Sequence, residues 1–107
     1  YERLEFLGDA YIQLISTRLV NQHFTTVPVG KLSYYRQALI RNTTLAAYAD
    51  AYNFFPRVQH TIPEPTGAKL EKMKADVFEA YVAAIVQDDP ENGLKRVEEW
   101  VGALWEP

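Results

Sequence analysis

Apolar residues recur every three or four positions through most of this chain, and that spacing limits what it can fold into. From Glu2 to His23, the residues Leu4, Leu7, Tyr11, Leu14, Ile15, Arg18 and Leu19 fall near one helical face. Within that stretch Leu4, Phe6, Leu7, Ala10, Ile12, Leu14 and Ile15 read as core. "TTVPVG" breaks the pattern through Pro28 and Gly30, and helical spacing resumes from about Lys31 through Leu32, Tyr35, Leu39 and Ile40. Asn42 or Thr43 is placed to cap a short helix over "TLAAYADAY". Residues 53–67, with three prolines and a glycine, read as a loop. The spacing then predicts a long helix over 68–87, with Leu70, Met73, Val77, Phe78, Tyr81, Val82, Ile85 and Val86 inward. A last helix, with Pro90 at its start, carries Leu94, Val97, Trp100, Val101 and Leu104. Strand alternation is absent, so the expected class is all-α.

Two groups of acids sit inside these apolar helices. Glu2, Glu5 and Asp9 share one face of the first helix, where like charges repel by roughly 0.2–0.5 kcal/mol per pair. Asp76 and Glu79 form a second pair on the fourth helix, among Val77, Phe78, Ala80 and Tyr81. Taken singly, each group resembles solvated helix surface. If the two helices pack together, however, four carboxylates converge, and such a cluster stays ionised in a low-dielectric site only with cations present. Mg²⁺ held by carboxylates, water and a phosphate meets that need. Lys72, four residues before Asp76, shares its face and reads either as a helix ion pair or as a cation for the phosphate. Gly8 costs about 1 kcal/mol relative to Ala within the first helix, which implies a close backbone approach there.

Composition narrows the classes. At 107 residues the chain is one domain, residues 1–107, with a real core. No apolar run reaches the ~20 residues that span a bilayer, so no membrane partner is expected. The absence of cysteine removes disulfides, thiolate catalysis and cysteine-bound zinc. A net charge of −3 is a weak footprint for gripping a polyanion unaided. His23 and His60 are isolated and read as surface. Tyr1 stands inside helical spacing, which predicts a fragment of a longer protein.

The letters go further than the spacing. "ERLEFLGDA" (Glu2 to Ala10) resembles the signature of the ribonuclease III family, and "ADVFEAYVAAI" resembles that family's second acidic motif. "GKLSYYRQALIRNTTLAAYA" is similar to the segment between them, with Gly30, Leu32, Ser33, Arg36 and Asn42 in matching places. The tail "ADVFEAYVAAIVQDDPENGLKRVEEWV" looks closest to fungal nuclear ribonuclease III.

The resemblance implies an endonuclease-domain helical bundle without its N-terminal helices, cutting double-stranded RNA by Mg²⁺-dependent hydrolysis (Mn²⁺ as substitute) to leave 5′-phosphate and 3′-hydroxyl ends. By matching position Glu5, Asp9, Asp76 and Glu79 would hold the metal. Asp9, Glu79 and Lys72 would be catalytic, with Glu2 and Arg36 supporting or touching RNA. Phe6 would reach into the other subunit of a homodimer. A separate double-stranded-RNA-binding domain would supply most of the affinity, helped by Arg41 and Arg57, and an intracellular, nuclear location is implied. Val29 stands where many relatives carry an acid. The rival reading is a catalytically silent relative that binds RNA structurally; such relatives lose carboxyl ligands, and this chain keeps all four.

Overall fold

A computed structural model describes residues 2–54 and 66–105. They form five helices: α1 (Glu2–His23), α2 (Val29–Ile40), α3 (Asn42–Ala51), α4 (Gly67–Asp88) and α5 (Gly93–Trp105), and no strand occurs among them. The all-α expectation therefore holds. Most of the expected 53–67 loop, His60 and Arg57 included, lies outside the described residues.

Helix ends differ from the sequence expectation by a few residues, each for a local reason. α2 starts at Val29 because the Pro28 carbonyl already accepts the N–H groups of Lys31 (3.0 Å) and Leu32 (3.1 Å). Arg41, extended at φ −65° and ψ 154°, is the one-residue break between α2 and α3, so Asn42 is the first helical residue and not the cap. Pro90 does not start α5; it lies in a turn where Asp89 Oδ1 accepts the Asn92 N–H (3.2 Å), and the helix begins at Gly93. α3 closes with Asn53 at φ 56°, and the Phe54 N–H donates back to the Ala49 carbonyl (3.0 Å).

α4 is the central helix, packing chiefly against α1 and α3 and also against α5. The core joins Ile12 and Ile15, Leu45 and Ala49, Phe78 and Val82, and Val97 and Val101. Phe78 is fully buried, with the rings of Tyr48 and Trp100 at 5.6 and 5.5 Å. α5 is tied down at its end, where Trp105 Nε1 donates to the Leu39 carbonyl (3.1 Å) and Leu104 O accepts from the Tyr48 hydroxyl (3.2 Å). α2 buries no residue fully. Among the described residues no helix is long and apolar enough to cross a membrane.

The buried side of α1 is Gly8, Ile12, Ile15, Ser16 and Val20. Phe6 (78% exposed), Leu14 (45%) and Ala10 are therefore not core, contrary to the reading of the apolar pattern. Tyr81, expected inward, is likewise 44% exposed. Replacing Phe78 with Ala is expected to cost about 3–5 kcal/mol in urea unfolding, and Tyr34→Ala on exposed α2 less than about 0.5 kcal/mol. Equal losses would show that the core is not centred on Phe78.

Candidate active site

The acids are placed by one contact between main chains. Gly8 on α1 lies directly against Glu79 on α4: a Cβ at Gly8 would overlap the Glu79 carbonyl carbon and oxygen and stand 3.0 Å from its Cα. Only glycine fits such an approach. The close point falls beside Asp9 on one helix and at Glu79 itself on the other, so the two carboxyls emerge next to each other. One turn earlier on each helix stand Glu5 and Asp76, near enough for the charge of Asp76 to act on Glu5. The packing of these helices turns two unremarkable acidic faces into one site.

The electrostatics follow from that placement. Burial, then the proton-sharing contact with Asp9 and the negative charges of Asp9 and Asp76, push Glu79 up to about 8 against an ordinary value of 4.5. Burial also raises Glu5, reinforced by the charges of Asp76 and Glu2 and opposed by Lys72. Lys72 Nζ donates to both Asp76 oxygens, at 3.0 and 3.3 Å. The hydrogen bond to Asp76 and that carboxylate's charge raise the lysine, with Glu5 and Glu79 adding to the shift. The helix ion pair expected for Lys72 is thus formed, and it is part of the acidic site.

All four acids are therefore linked by charge, Glu5 to Asp76, Asp76 to Glu79, and Glu79 to Asp9. They do not form a finished coordination sphere. Among the described residues no three carboxyl or imidazole groups are gathered closely enough to hold one ion. The side chains instead pair off, Asp9 with Glu79 and Asp76 with Lys72. As a donor set the residues fit a hard divalent cation, with oxygen ligands and unfavourable charge that a cation would relieve. Rotation of these side chains would be needed to bring the oxygens to one ion.

Other predicted residues fall elsewhere. Glu2 is exposed and acts on the site through its charge on Glu5. Arg36 reaches α1 two turns beyond Asp9, about 12 Å along the axis, where its Nη1 donates to Thr17 Oγ1 (3.1 Å) and its buried Nε finds no partner among the described residues. Thr17 went unnoticed in the sequence, although Asp9, Gln13 and Thr17 repeat at helical spacing on one face. A larger cavity of about 590 Å³, lined by aromatic residues including Tyr52, Phe54, Tyr81 and Trp100, is separate from the acids. Tyr81 lies roughly 200° around α4 from Glu79.

A helical bundle with an acidic helix crossing defines the class, and comparison with known proteins gives the family. Residues 2–90 match the model of the Ribonuclease III domain. Ribonuclease 3 of Roseiflexus sp. (strain RS-1) is 41% identical over 107 residues, covering 98% of this chain and 44% of the relative. Ribonuclease 3 of Francisella tularensis subsp. novicida (strain U112) is 38% identical over 97 residues, 91% of this chain and 42% of the relative. Dicer from Pichia stipitis matches in structure with a TM-score of 0.85 and 33% identity, over 100% of this chain and 48% of that one. The nuclease domain of ribonuclease III from Campylobacter jejuni, described for flexibility in a region involved in dimer formation, gives 0.82 and 29%, over 98% and 73%. The chain belongs to the ribonuclease III family, and it spans less than half the length of these two curated relatives.

Glu79 provides a direct check of the geometry. Its acidity is weaker folded, about 8, than at the ordinary value of 4.5. Between those values the folded state binds more protons, so its contribution to stability is full below 4.5 and is lost as pH rises through about 8. In the presence of a chelator, the melting temperature of the wild type should fall relative to that of Glu79→Gln as pH is raised from 5 to 8. A difference that does not vary with pH would show that Glu79 keeps its ordinary acidity.

Proposed function

We propose that this chain is the nuclease domain of a double-stranded-RNA-specific endoribonuclease that hydrolyses phosphodiesters with Mg²⁺, or Mn²⁺ in its place. The observation that carries the reading is the charge-linked set Glu5, Asp9, Asp76 and Glu79, held across α1 and α4 by the Gly8 contact. Family membership supports it, because the relatives named above are ribonucleases. Keeping all four carboxyls disfavours the silent alternative.

The division of labour follows from placement. Glu5, Asp9, Asp76 and Glu79 would hold the cation, which when bound activates water and stabilises the leaving oxygen. Asp9 and Glu79, joined by a hydrogen bond, would hold it once the proton on Glu79 had passed to solvent. Lys72, now engaged with Asp76, would turn its ammonium to a non-bridging phosphate oxygen. Glu2 supports the site through its charge on Glu5. Arg36, on α2 and bonded to Thr17 farther along α1, would meet the RNA backbone. The shallow minor groove and 2′-hydroxyls of a duplex offer a shape for such a surface. With a net charge of −3, most of the affinity would come from a separate double-stranded-RNA-binding domain, since counterion release needs basic residues.

Phe6 supports a two-fold dimer. It stands 78% exposed on α1, beside a concavity of about 340 Å³ that Arg3, Leu4, Leu7 and Gln87 help to line. A knob next to a hollow is what an isologous contact requires, each subunit offering both. Two sites facing one duplex would cut both strands.

With the full-length protein, a long RNA duplex and Mg²⁺, short duplex products carrying 5′-phosphates are expected. Glu79→Gln should lower turnover about a thousandfold, equivalent to ~4 kcal/mol, with duplex binding kept; normal cutting by that variant would remove Glu79 from the site. In sedimentation, Phe6→Ala should weaken dimerisation about thirtyfold, or ~2 kcal/mol. An unchanged association constant would place the interface elsewhere.

A further inference from the structure

Gly8 is a residue without functional groups, yet its contact lies at the centre of the acidic site. Resting on the function proposed above, we propose that Gly8 is a positioning residue: its missing side chain sets the α1–α4 separation at which Asp9 and Glu79 can ligate one divalent cation.

Three observations carry this. First, the closest approach falls on the residues that bear the acids, since Gly8 adjoins Asp9 and meets the main chain of Glu79. Second, the obstacle that a Cβ would strike is backbone, flanked by buried Phe78 and Ala80, so α4 has little room to yield and α1 would have to lift. Asp9 would lift with it. Third, glycine is not kept for space everywhere in this chain, because a Cβ at Gly30 or Gly102 would meet nothing within 4 Å among the described residues.

Mg²⁺ makes the separation matter. It takes near-ideal octahedral geometry at about 2.0–2.1 Å, whereas Ca²⁺ accepts longer and less regular coordination. A small rise of α1 therefore harms Mg²⁺ binding more than Ca²⁺ binding. A purely structural glycine would make no such distinction between ions.

Gly93 supplies a control. A Cβ there would meet the Val86 Cα at 2.7 Å and the Ile85 carbonyl oxygen at 2.8 Å, a shallower clash than at Gly8 but likewise with main chain, at a point of the α4–α5 contact where none of the four acids stands. The experiment is calorimetric titration of Mg²⁺ and of Ca²⁺ into the wild type, Gly8→Ala and Gly93→Ala, with thermal melts of each. Both variants should melt lower, while only Gly8→Ala should lose about tenfold or more in Mg²⁺ affinity, with a smaller loss for Ca²⁺. Where Gly8→Ala folds poorly, all three proteins are titrated in trimethylamine oxide, which favours the compact state.

A folded Gly8→Ala with wild-type Mg²⁺ affinity overturns the proposal. So does equal loss in Gly93→Ala, or an equal loss for both ions. A Gly8→Ala chain that stays unfolded in the osmolyte overturns it as well, by making the glycine a requirement of the whole fold. Failure of the wild type to bind Mg²⁺ would instead sink the proposed function itself.

Discussion

The contact of Gly8 with the Glu79 main chain is the constraint on which the rest of the molecule turns. Helices that meet through side chains lie 8–10 Å apart, and acids projecting from such a pair are kept from each other by the intervening bulk. Removing a Cβ at one point brings the backbones together there. The helix pays for this with a glycine in its interior, a position where Ala would be favoured by about 1 kcal/mol. That local penalty is repaid by packing, as Ile12 and Ile15 of α1 reach the same core as Phe78 and Val82 of α4.

α4 serves two purposes that conflict physically. Its Ala75, Val77, Phe78, Ala80, Val82, Ala83 and Val86 are buried, and the apolar surroundings that hold the helix in place are also what raise Glu79. Were α4 loosely packed, water would restore Glu79 to its ordinary acidity, and the pair with Asp9 would lose its geometry. Stability and chemistry therefore draw on the same burial. Sites where a sequence breaks a local rule, here the acids Asp9 and Glu79 facing each other and joined by a hydrogen bond, are where function is to be expected.

How much of this was legible depended on the kind of information involved. Periodicity alone gave five helices in order, because a three-to-four repeat is a local property. The four acids and Gly8 were legible for the same reason, since each stands at a fixed step from its neighbours on its own helix. The buried side of α1 was not. Leu4, Phe6, Leu7 and Leu14 are as apolar as Ile12 and Ile15, and a helix that is apolar on several sides does not declare which side its neighbour takes. Helix starts failed where a backbone group or a short side chain outweighed proline, as Asp89 does in the turn before Gly93. The roles proposed for the acids rest on the resemblance of two motifs, because spacing describes a cluster without saying what it is for.

The pairing of the acids explains how a chain can fold around a cluster that ought to repel itself. Four carboxyls formally bring four negative charges. Glu79, at about 8, keeps a proton near neutrality, and Lys72 brings an ammonium to both oxygens of Asp76. Each carboxyl pair thus contains one positive equivalent, and neither equivalent is fixed: a proton can leave, and Lys72 is a long side chain mostly in solvent. A divalent cation entering between α1 and α4 would compete with both, so its affinity should rise with pH as the proton on Glu79 is lost. The same two devices that let the helices come together are those a cation would displace, and the site is in that sense built around replaceable charge.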